Sequence, residues 1–392
     1  KLDIGKMAAE IESNAELDIT TYVNHCLNNL RGHSDGIIES RDVVLYGFGR
    51  IGRLLARRII STTGRGDQLL LRAVVLRGKM KNVEAELKKR AALLLSDSVH
   101  GDFQGTVRVD PDQSSIVVNG SRINFIFSDQ PDAIDYTHYG IHDAVLIDNT
   151  GVWRDKQGLS QHLRPGVSKV MLTAPGKDIV NIVYGANQSD SDGEQIVSAA
   201  SCTTNAIVPI IKTLDDSMGL EKGHIETIHA YTSDQNLLDN FHKKPRRGRA
   251  AALNMVLTTT GAAKAVSRVL PHLKGVLTGN AVRVPTPNVS LAIMNFHLKR
   301  ATHIDELNEV LKNASLEGNF MEQIHFSTDT EYVSTSAVGM TSTSVVDSPS
   351  NTVSADGKSA MVYAWYDNEF GYCCQVVRLA KHLANVRRPR FY

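Results

Sequence analysis

The sequence has few cysteines and no excess of charge of either sign. Its four cysteines lack the spacing of zinc ligands, and the adjacent pair Cys373 and Cys374 is a poor disulfide framework. This usage predicts no metal site and a reducing compartment. The 43 Lys and Arg residues nearly cancel the 42 Asp and Glu residues. The net charge therefore produces no electrostatic field that would favour binding to nucleic acid or to an anionic membrane.

The sequence also lacks long apolar runs. None approaches the roughly 20 residues that a membrane-spanning helix needs, and the first 30 residues carry no signal-peptide pattern. We therefore expect a cytoplasmic protein that does not enter a membrane. With 392 residues, of which 42% are apolar, the chain is long enough for two or three domains with a sizeable core.

One cysteine stands where a predicted strand gives way to a predicted helix. The apolar run 195–200 is followed by Cys202, and residues 206–219 have the pattern of an amphipathic helix ended by glycine. The positive end of a helix dipole favours a thiolate, so this position predicts a reactive cysteine with a lowered pKa. A small buried hydrophobe at a strand end is the alternative, and this stretch alone leaves both open.

A glycine-rich turn lies between a short apolar strand and an amphipathic helix in residues 42–60. Gly47, Gly49 and Gly52 form the pattern G-x-G-x-x-G in the context that dinucleotide binding requires. Gly47 would allow the tight turn, Gly49 the approach of a pyrophosphate, and Gly52 the contact between helix and strand. A plain strand-to-helix turn is the weaker alternative.

The second predicted strand, residues 69–76, is followed directly by Arg77. Sites for NAD usually have an acidic residue here that accepts hydrogen bonds from the ribose hydroxyls. A guanidinium cannot accept them but can pair with a 2′-phosphate, so Arg77 favours NADP or relaxed specificity. A solvated arginine at a strand end is the alternative.

The rest of the chain alternates predicted helices and strands. Residues 82–95 predict a helix, and Asn119-Gly120 predicts a hairpin turn between two strands. Strands 144–148 and 169–173 end in small polar residues, as strands that line a cofactor crevice do. Strands 289–297 and 361–365 alternate in polarity, which fits an antiparallel sheet with one covered face.

The first forty residues predict two short amphipathic helices and a turn-rich linker at 31–36. This extension could pack on the main body, mediate assembly or bind a partner, and packing is the default expectation. At the other end, residues 387–392 predict a loose tail.

Six motifs in chain order resemble phosphorylating glyceraldehyde-3-phosphate dehydrogenase over about residues 42–384. They are Tyr46-Gly-Phe-Gly-Arg-Ile-Gly-Arg53, Asp97-Ser-Val-His-Gly101, Ser201-Cys-Thr-Thr-Asn205, Thr260-Gly-Ala-Ala-Lys-Ala-Val266, Arg283-Val-Pro-Thr-Pro-Asn-Val-Ser290 and Trp365-Tyr-Asp-Asn-Glu-Phe-Gly-Tyr372. The resemblance implies an α/β protein in which a doubly wound parallel (Rossmann) sheet binds the cofactor. An α+β catalytic domain with a mixed or antiparallel sheet accompanies it. The implied boundaries are 1–40 for the extension, 41–201 with 369–392 for the cofactor domain, and 202–368 for the catalytic and interface domain.

The resemblance assigns the chemistry to Cys202 and His229. In this family the cysteine adds to the aldehyde, the thiohemiacetal passes hydride to the nicotinamide, and phosphate attacks the resulting thioester. The imidazole is implied to hold the thiolate and to accept and return a proton.

Two anion sites are also implied. Thr232 and Arg283 match the site for the substrate's own phosphate. The residues that match the site for inorganic phosphate are Ser201, Thr203, Thr260 and Gly261. A guanidinium offers paired donors to phosphate oxygens, and hydroxyl groups add further donors.

The cofactor contacts come from several loops. The matching residues are Arg50 and Ile51 for the pyrophosphate, Thr150 and Thr173 at strand ends, Asn368 for the nicotinamide, and Tyr372 beside the ring. The chain departs from the NAD-binding pattern at Leu76 and Arg77, and it has Asn240-Phe241 where NAD-specific members tend to carry Leu-Pro. These departures favour NADP, with NAD as the other possible cofactor.

The resemblance implies reversible oxidative phosphorylation of D-glyceraldehyde 3-phosphate, a step of glycolysis and gluconeogenesis, by a homotetramer. Erythrose-4-phosphate dehydrogenase is the enzymatic alternative, and a regulatory or binding protein on the same fold is the other. The basic run 242–249 lacks interleaved aromatics, so a nucleic-acid partner is not favoured. In this family that run belongs to a loop that lines a neighbouring subunit's cofactor site.

Overall fold

We describe a computed structural model that covers residues 4–14, 18–28, 39–63, 68–258 and 261–386. The predicted linker at 31–36, Thr260 and the predicted tail at 387–392 lie outside the described residues. Two large β-sheets dominate the fold, and helices cover them. No helix in the described ranges is both long and apolar enough to cross a bilayer.

The α-helices of the described residues are α1 (Ile4–Ser13), α2 (Ile19–Asn28), α3 (Arg50–Thr63), α4 (Val83–Leu95), α5 (Lys156–Ser160), α6 (Cys202–Met218), α7 (Ala262–Val269), α8 (Ile304–Leu316) and α9 (Phe370–Leu383). The strands are β1 (Arg41–Tyr46), β2 (Leu69–Leu76), β3 (Ser96–Asp97), β4 (Gly101–Asp102), β5 (Val107–Asp110), β6 (Ser115–Val118), β7 (Ser121–Phe127), β8 (Ala144–Asp148), β9 (Val167–Leu172), β10 (Val180–Asn181), β11 (Ile196–Ser198), β12 (Leu220–Ala230), β13 (Val256–Thr258), β14 (Leu277–Val284), β15 (Ser290–Leu298), β16 (Ile324–Ser327), β17 (Ser344–Asp347), β18 (Thr352–Val353) and β19 (Ser359–Tyr366).

The first sheet has the strand order β10-β11-β9-β8-β1-β2-β7-β6-β5. Its strands run parallel from β10 to β7, and β5 and β6 add an antiparallel edge. All five residues of β8 are buried, as expected for a central parallel strand covered on both faces. The predicted doubly wound sheet is therefore confirmed.

The hairpin predicted at Asn119-Gly120 joins β6 to β7. Both residues have positive φ, 48° and 85°, as the central positions of a type I′ turn require. The turn therefore sets the antiparallel pairing in which Val118 faces Ser121.

The chain reverses its direction of winding at β1. Strand β2 lies on one side of β1 and β8 on the other, so the loops after β1 and β8 open a crevice between them. Gly47 follows β1 and Asn149 follows β8, and the Asn149 amide donates to the Tyr46 carbonyl at 2.8 Å. The glycine-rich turn therefore lies at this switch point.

The second sheet has the order β13-β14-β12-β15-β19-β17-β16, with β18 paired to β19. Strands β12 and β14 run parallel, as do β16 and β17, while the other pairs are antiparallel. Buried and more exposed residues alternate along β15 and β19, and α6, α7 and α8 contribute to the core that covers one face. The predicted mixed sheet is confirmed.

Two helices connect the sheets. Helix α6 starts after β11 of the first sheet and packs into the core of the second. Helix α9 starts after β19 of the second sheet and packs on α3, where the Cys373 sulphur lies 3.7 Å from the Ile51 carbonyl oxygen. Helix α9 thus returns the chain to the first sheet.

We expect Gly52→Ala to destabilise the fold and Gly49→Ala to leave it intact. A Cβ on Gly52 would lie 2.4 Å from the Gly47 carbonyl oxygen, whereas a Cβ on Gly49 has no neighbour within 4 Å. Because forced overlap costs about 1–3 kcal/mol, Gly52→Ala should lower the free energy of unfolding by that amount. Denaturant titration measures it, and equal stability of the two variants would contradict the assigned helix-to-turn contact.

Candidate active site

A cavity of about 670 Å³ lies between the two sheets and collects most of the predicted residues. Those that line it are Arg50, Ile51, Thr173, Ser201, Cys202, His229, Thr232, Arg283, Asn368 and Tyr372. The glycines of the 47–52 turn, and Arg77, Thr150, Thr203 and Gly261, are not among its lining residues. Ten of the predicted residues therefore share one cavity, and the other predicted residues that the structure describes lie outside its lining.

Cys202 is the first residue of α6. The Ser201 hydroxyl caps this helix by accepting a hydrogen bond from the Thr204 amide at 3.1 Å. Strand β12 carries His229, and the Cys202 sulphur lies 3.7 Å from His229 Nε2. A thiol and an imidazole are thus within hydrogen-bond reach, which is the arrangement that activates a cysteine nucleophile.

The far side of the His229 ring has two partners. Nδ1 lies 2.8 Å from the Ala230 carbonyl oxygen and 2.9 Å from Arg283 Nη1. If Nδ1 donates to the carbonyl, Nε2 presents a lone pair that can take the thiol proton. If Nδ1 accepts from Arg283, Nε2 carries a proton that can stabilise a thiolate. The surroundings of His229 therefore accommodate both tautomers.

Burial dominates the charge state of this pair. Together with the positive charge of Arg283, it lowers the pKa of His229 to about 3. Burial also raises the pKa of the Cys202 thiol, although Arg283 and hydrogen bonds from Thr203 act in the opposite direction. The fall in thiol pKa predicted from the helix N-terminus is therefore wrong for this conformation, because desolvation outweighs the charge of Arg283 and the hydrogen bonds from Thr203. A neutral thiol beside a neutral imidazole is the favoured state.

Arg283 extends from β14 toward the cavity. Its Nη1 donates to the Ala230 carbonyl at 2.8 Å and lies 3.4 Å from the Thr232 hydroxyl. Burial lowers the pKa of Arg283, and the charge of Arg247 adds to this effect. A buried cation beside a hydroxyl group can bind an anion, as predicted for Thr232 and Arg283.

Sequence reasoning missed two residues behind this anion site. The Thr232 hydroxyl donates to Asp234, and Asp234 pairs with Arg247, which also donates to the Thr258 hydroxyl at 3.1 Å. Arg247 belongs to the basic run 242–249, yet it is buried. One arginine of this basic run therefore has a structural role, and its contact with Asp234 distinguishes it from the other basic residues of the run.

Gln235 is a third residue that the sequence analysis left unassigned. It is buried, it lines the cavity, and neither atom of its side-chain amide has a hydrogen-bond partner among the described residues. Buried amides nearly always find partners. Gln235 is thus suited to contact a bound molecule.

The predicted inorganic-phosphate residues are only partly brought together. Ser201 lines the cavity, but the Thr203 hydroxyl is buried and hydrogen-bonded to the Tyr366 hydroxyl at 3.1 Å. Gly261 precedes α7, and open space surrounds the position of its missing Cβ. Thr260 lies outside the described residues.

The glycine-rich turn fits a bound pyrophosphate. Gly47 has φ of 95°, and a Cβ there would meet the Thr150 methyl group at 3.0 Å. Open space lies beside Gly49, and α3 begins at the next residue. A phosphate could therefore approach the N–H groups of the first helical turn.

Arg50 at the start of α3 pairs with two acidic residues that the sequence analysis did not assign. Its guanidinium donates to Glu369, and its Nη1 lies 3.0 Å from Asp97 Oδ2. His100 Nε2 lies 3.2 Å from the same Glu369 carboxylate. These contacts join the Asp97–Gly101 motif to the start of α9, and they orient the cavity wall next to Ile51.

The strand-end residues are held by buried groups. Asp148 accepts from the Thr150 amide and hydroxyl, both at 2.7 Å, and lies 3.2 Å from His162. The Thr173 hydroxyl donates to the Asp148 carbonyl at 3.0 Å. The amide oxygen of Asn368 accepts from Ser290 at 3.0 Å, which fixes the orientation of that amide. His162 and Ser290 were missed because their partners lie far away in sequence.

Arg77 stands directly after β2, and its side chain is 65% exposed. Its Nε lies 3.9 Å from Asp129, which is itself 82% exposed, so this ion pair is weak. The loop that follows is fixed by Glu86, which accepts from the Lys79 and Met80 amides at 2.8 and 2.9 Å. The backbone is thus held while the Arg77 guanidinium stays available.

Comparison with known proteins identifies the chain's relatives. Residues 41–156 match the NAD-binding domain of glyceraldehyde 3-phosphate dehydrogenase, and residues 201–368 match its C-terminal domain. A glyceraldehyde-3-phosphate dehydrogenase-like protein of Pseudomonas aeruginosa is 52% identical over 100% of this chain and 85% of its own length. Glyceraldehyde-3-phosphate dehydrogenase 2 of Bacillus subtilis is 40% identical, over 87% of this chain and 96% of its own. The chloroplastic glyceraldehyde-3-phosphate dehydrogenase A of Zea mays is 40% identical, over 94% of this chain and 89% of its own length.

We expect Arg283→Met to make Cys202 less acidic. Loss of the nearby positive charge destabilises the thiolate, so the pH at which alkylation reaches half its maximal rate should rise. Iodoacetamide labelling followed by mass spectrometry of the Cys202 peptide measures it. Arg122→Met, at an exposed ion pair on β7, serves as the control and should leave the curve in place. An unchanged curve for Arg283→Met would show that its charge does not reach the sulphur.

Proposed function

Because the chain belongs to the glyceraldehyde-3-phosphate dehydrogenase family, we propose that it catalyses the reversible oxidative phosphorylation of D-glyceraldehyde 3-phosphate to 1,3-bisphosphoglycerate. The observation that carries this proposal is the 3.7 Å contact between the Cys202 sulphur and His229 Nε2, beside the Arg283 guanidinium. A nucleophile, a base and an anion site meet in one cavity.

His229 moves two protons in the proposed reaction. It first takes the thiol proton, and the Cys202 sulphur forms a bond to the aldehyde carbon. The proton passes to the oxygen and gives a thiohemiacetal. His229 then takes the hydroxyl proton while the C–H bond breaks with its electron pair, and a thioester to Cys202 remains. A bound nicotinamide cofactor would supply the acceptor for that hydride.

Inorganic phosphate completes the cycle by attacking the thioester carbon. The carbon–sulphur bond breaks, and the sulphur leaves as a thiolate that His229 can reprotonate. Arg283 and Thr232 hold the substrate's own phosphate in this proposal, because the Arg283 guanidinium lies beside both the Thr232 hydroxyl and His229. Thr232 would have to exchange its hydrogen bond to Asp234 for one to phosphate. Ser201, Thr203, Thr260 and Gly261 take the attacking phosphate. Thr203 would have to exchange its hydrogen bond with Tyr366 for one to phosphate.

Several residues suit NADP or NAD. The proposed cofactor contacts are Gly47, Gly49, Arg50, Ile51, Gly52, Arg77, Thr150, Thr173 and Asn368. We favour NADP because Leu76 offers no side-chain acceptor to the ribose hydroxyls and the exposed Arg77 guanidinium can bind a 2′-phosphate. The proposed cofactor domain comprises residues 41–201 with 369–392, and the proposed catalytic domain comprises residues 202–368.

We propose a cytoplasmic homotetramer. The loop between β12 and β13 exposes large apolar side chains, with Leu237 80%, Phe241 90% and Leu253 80% exposed. Exposed apolar residues grouped in one loop mark an interface with another protein, here a second copy of the chain. Sedimentation velocity tests the assembly, and a purely monomeric protein at micromolar concentration would refute it.

Cys202→Ser should abolish aldehyde oxidation, because an alcohol beside a neutral imidazole is a much weaker nucleophile than a thiol. His229→Gln should lower kcat by about 10²–10⁴-fold, the usual contribution of a general base. Cofactor reduction is measured with glyceraldehyde 3-phosphate and inorganic phosphate. Retained oxidation in Cys202→Ser would refute the mechanism.

Phosphate-independent turnover of erythrose 4-phosphate by the unmodified protein would assign it to the alternative dehydrogenase.

Arg77→Asp should shift preference from NADP to NAD. The substitution removes a cation that can pair with a 2′-phosphate and supplies an acceptor for ribose hydroxyls, so the ratio of kcat/KM for NADP to that for NAD should fall at least about tenfold. Arg108→Asp, at an exposed arginine on β5, is the matched control and should leave the ratio unchanged. A ratio that is unchanged in Arg77→Asp would remove Arg77 from the site.

A further inference from the structure

A second cavity lies away from the catalytic one, between the two helices α3 and α9 and the chain from Ser315 to Ser342. Its larger part has a volume of about 490 Å³, and a smaller part of about 60 Å³ shares Arg58, Glu322 and Arg378 with it. We call the two parts together the α3–α9 cavity. None of its lining residues in the described chain lines the catalytic cavity.

Positive charge dominates this cavity. Arg58 comes from α3, and Arg378 and Lys381 come from α9, whereas Glu322 is the one carboxylate among the lining residues of the described chain. The whole protein has a formal net charge of only +1, so a local excess of two positive charges is a concentrated feature. Like charges held together in a partly buried space repel each other, and an anion would relieve this repulsion.

The cations are incompletely paired. Arg378 donates to the Thr341 carbonyl at 2.9 Å and lies 3.8 Å from Glu322. Within the described chain, the side chains of Arg58 and Lys381 take part in no hydrogen bond or ion pair. Burial and the charge of Arg58 lower the pKa of Arg378 to about 10, and burial with the charges of both arginines lowers the pKa of Lys381.

A buried hydroxyl supplies an independent sign of a ligand. Ser342 is 9% exposed, lines the cavity, and its hydroxyl has no hydrogen-bond partner among the described residues. A buried hydroxyl without a partner costs free energy, so native structures rarely keep one. A phosphate oxygen in the cavity would satisfy it.

The opposite wall is partly apolar. Met321, Ile324, Phe326 and Met340 contribute to it. A volume of about 490 Å³ exceeds what inorganic phosphate would fill, and it falls within the range of small-molecule sites. The charge at one end thus fits a phosphate group, and the apolar wall fits an organic group attached to it.

We propose that the α3–α9 cavity binds a phosphorylated organic molecule of about mononucleotide size, separately from the catalytic site. Arg58, Arg378 and Lys381 hold the phosphate, and Ser342 donates to one of its oxygens. The net excess of two positive charges matches a phosphate dianion better than a carboxylate. Because the cavity is bounded by helices of the first sheet and by chain from the second sheet's side, its ligand contacts both.

Isothermal titration calorimetry tests the proposal with uridine 5′-diphosphate as the probe. The protein is first saturated with NADP, so that the catalytic cavity is occupied by its proposed cofactor. We expect one molecule bound per chain, and we expect inorganic pyrophosphate to bind more weakly because it leaves the apolar wall uncovered. Binding of pyrophosphate without binding of uridine 5′-diphosphate, or binding of neither at millimolar concentration, would overturn the proposal.

The variant Arg58→Gln with Lys381→Gln should weaken uridine 5′-diphosphate binding at least about tenfold, because it removes two charge-assisted contacts. Lys88→Gln, at an exposed position of α4, is the matched control, and this variant should bind uridine 5′-diphosphate as the unmodified protein does. Thermal unfolding checks that the double variant is folded. If it is not, each single variant is measured, with an expected loss of at least about threefold. Unchanged affinity in the folded variants would refute the site.

Discussion

The cavity of the candidate active site depends on the direction that the backbone takes between β11 and α6. Ala200 has φ of 54°, a left-handed conformation that costs a residue with a Cβ roughly 1–2 kcal/mol. Its amide donates to the Ser198 hydroxyl at 3.0 Å, and its carbonyl accepts from the Tyr372 hydroxyl at 2.9 Å. These bonds stabilise a turn that brings Cys202 to the edge of the first sheet, facing β12 of the second.

Arg283 would connect the proposed acid–base chemistry to the proposed anion binding. The same guanidinium contacts the His229 ring and lies near the Thr232 hydroxyl, and its charge favours the Cys202 thiolate while opposing protonation of the imidazole. An anion that drew Arg283 away from His229 would leave Nδ1 with the Ala230 carbonyl alone. The ring would then present its Nε2 lone pair to the thiol, which is the state that a base requires.

The sequence predicted the outline of the fold because its signals are local. Strand, glycine turn and helix follow one another in residues 42–60, and Asn119-Gly120 alone determines a hairpin type. Strands β16 and β17 were missed because β17 has only two apolar residues, Val345 and Val346, within a segment rich in Ser and Thr. Their pairing is long-range and leaves no local pattern.

A site residue was predictable from the sequence where it belongs to a recognisable motif. The helix start marks Cys202 as a candidate and leaves open whether it is reactive, whereas His229 is one of 14 histidines that no spacing rule selects. Asp234, Arg247 and Glu369 were missed because no sequence pattern links them to their partners. The thiol pKa was assigned the wrong direction for the same reason, since the desolvation that raises it comes from packing that a sequence does not display.

The bond from Tyr372 to Ala200 also has a consequence for biosynthesis. Its two ends are 172 residues apart, and Asn368 and Glu369 in the cavity wall lie in the same late segment. During translation, Cys202 emerges long before these groups do. The thiol therefore stays outside this cavity until α9 docks on α3, so a nascent chain carries Cys202 in an unassembled cavity, and the proposed active site is complete only at the end of synthesis.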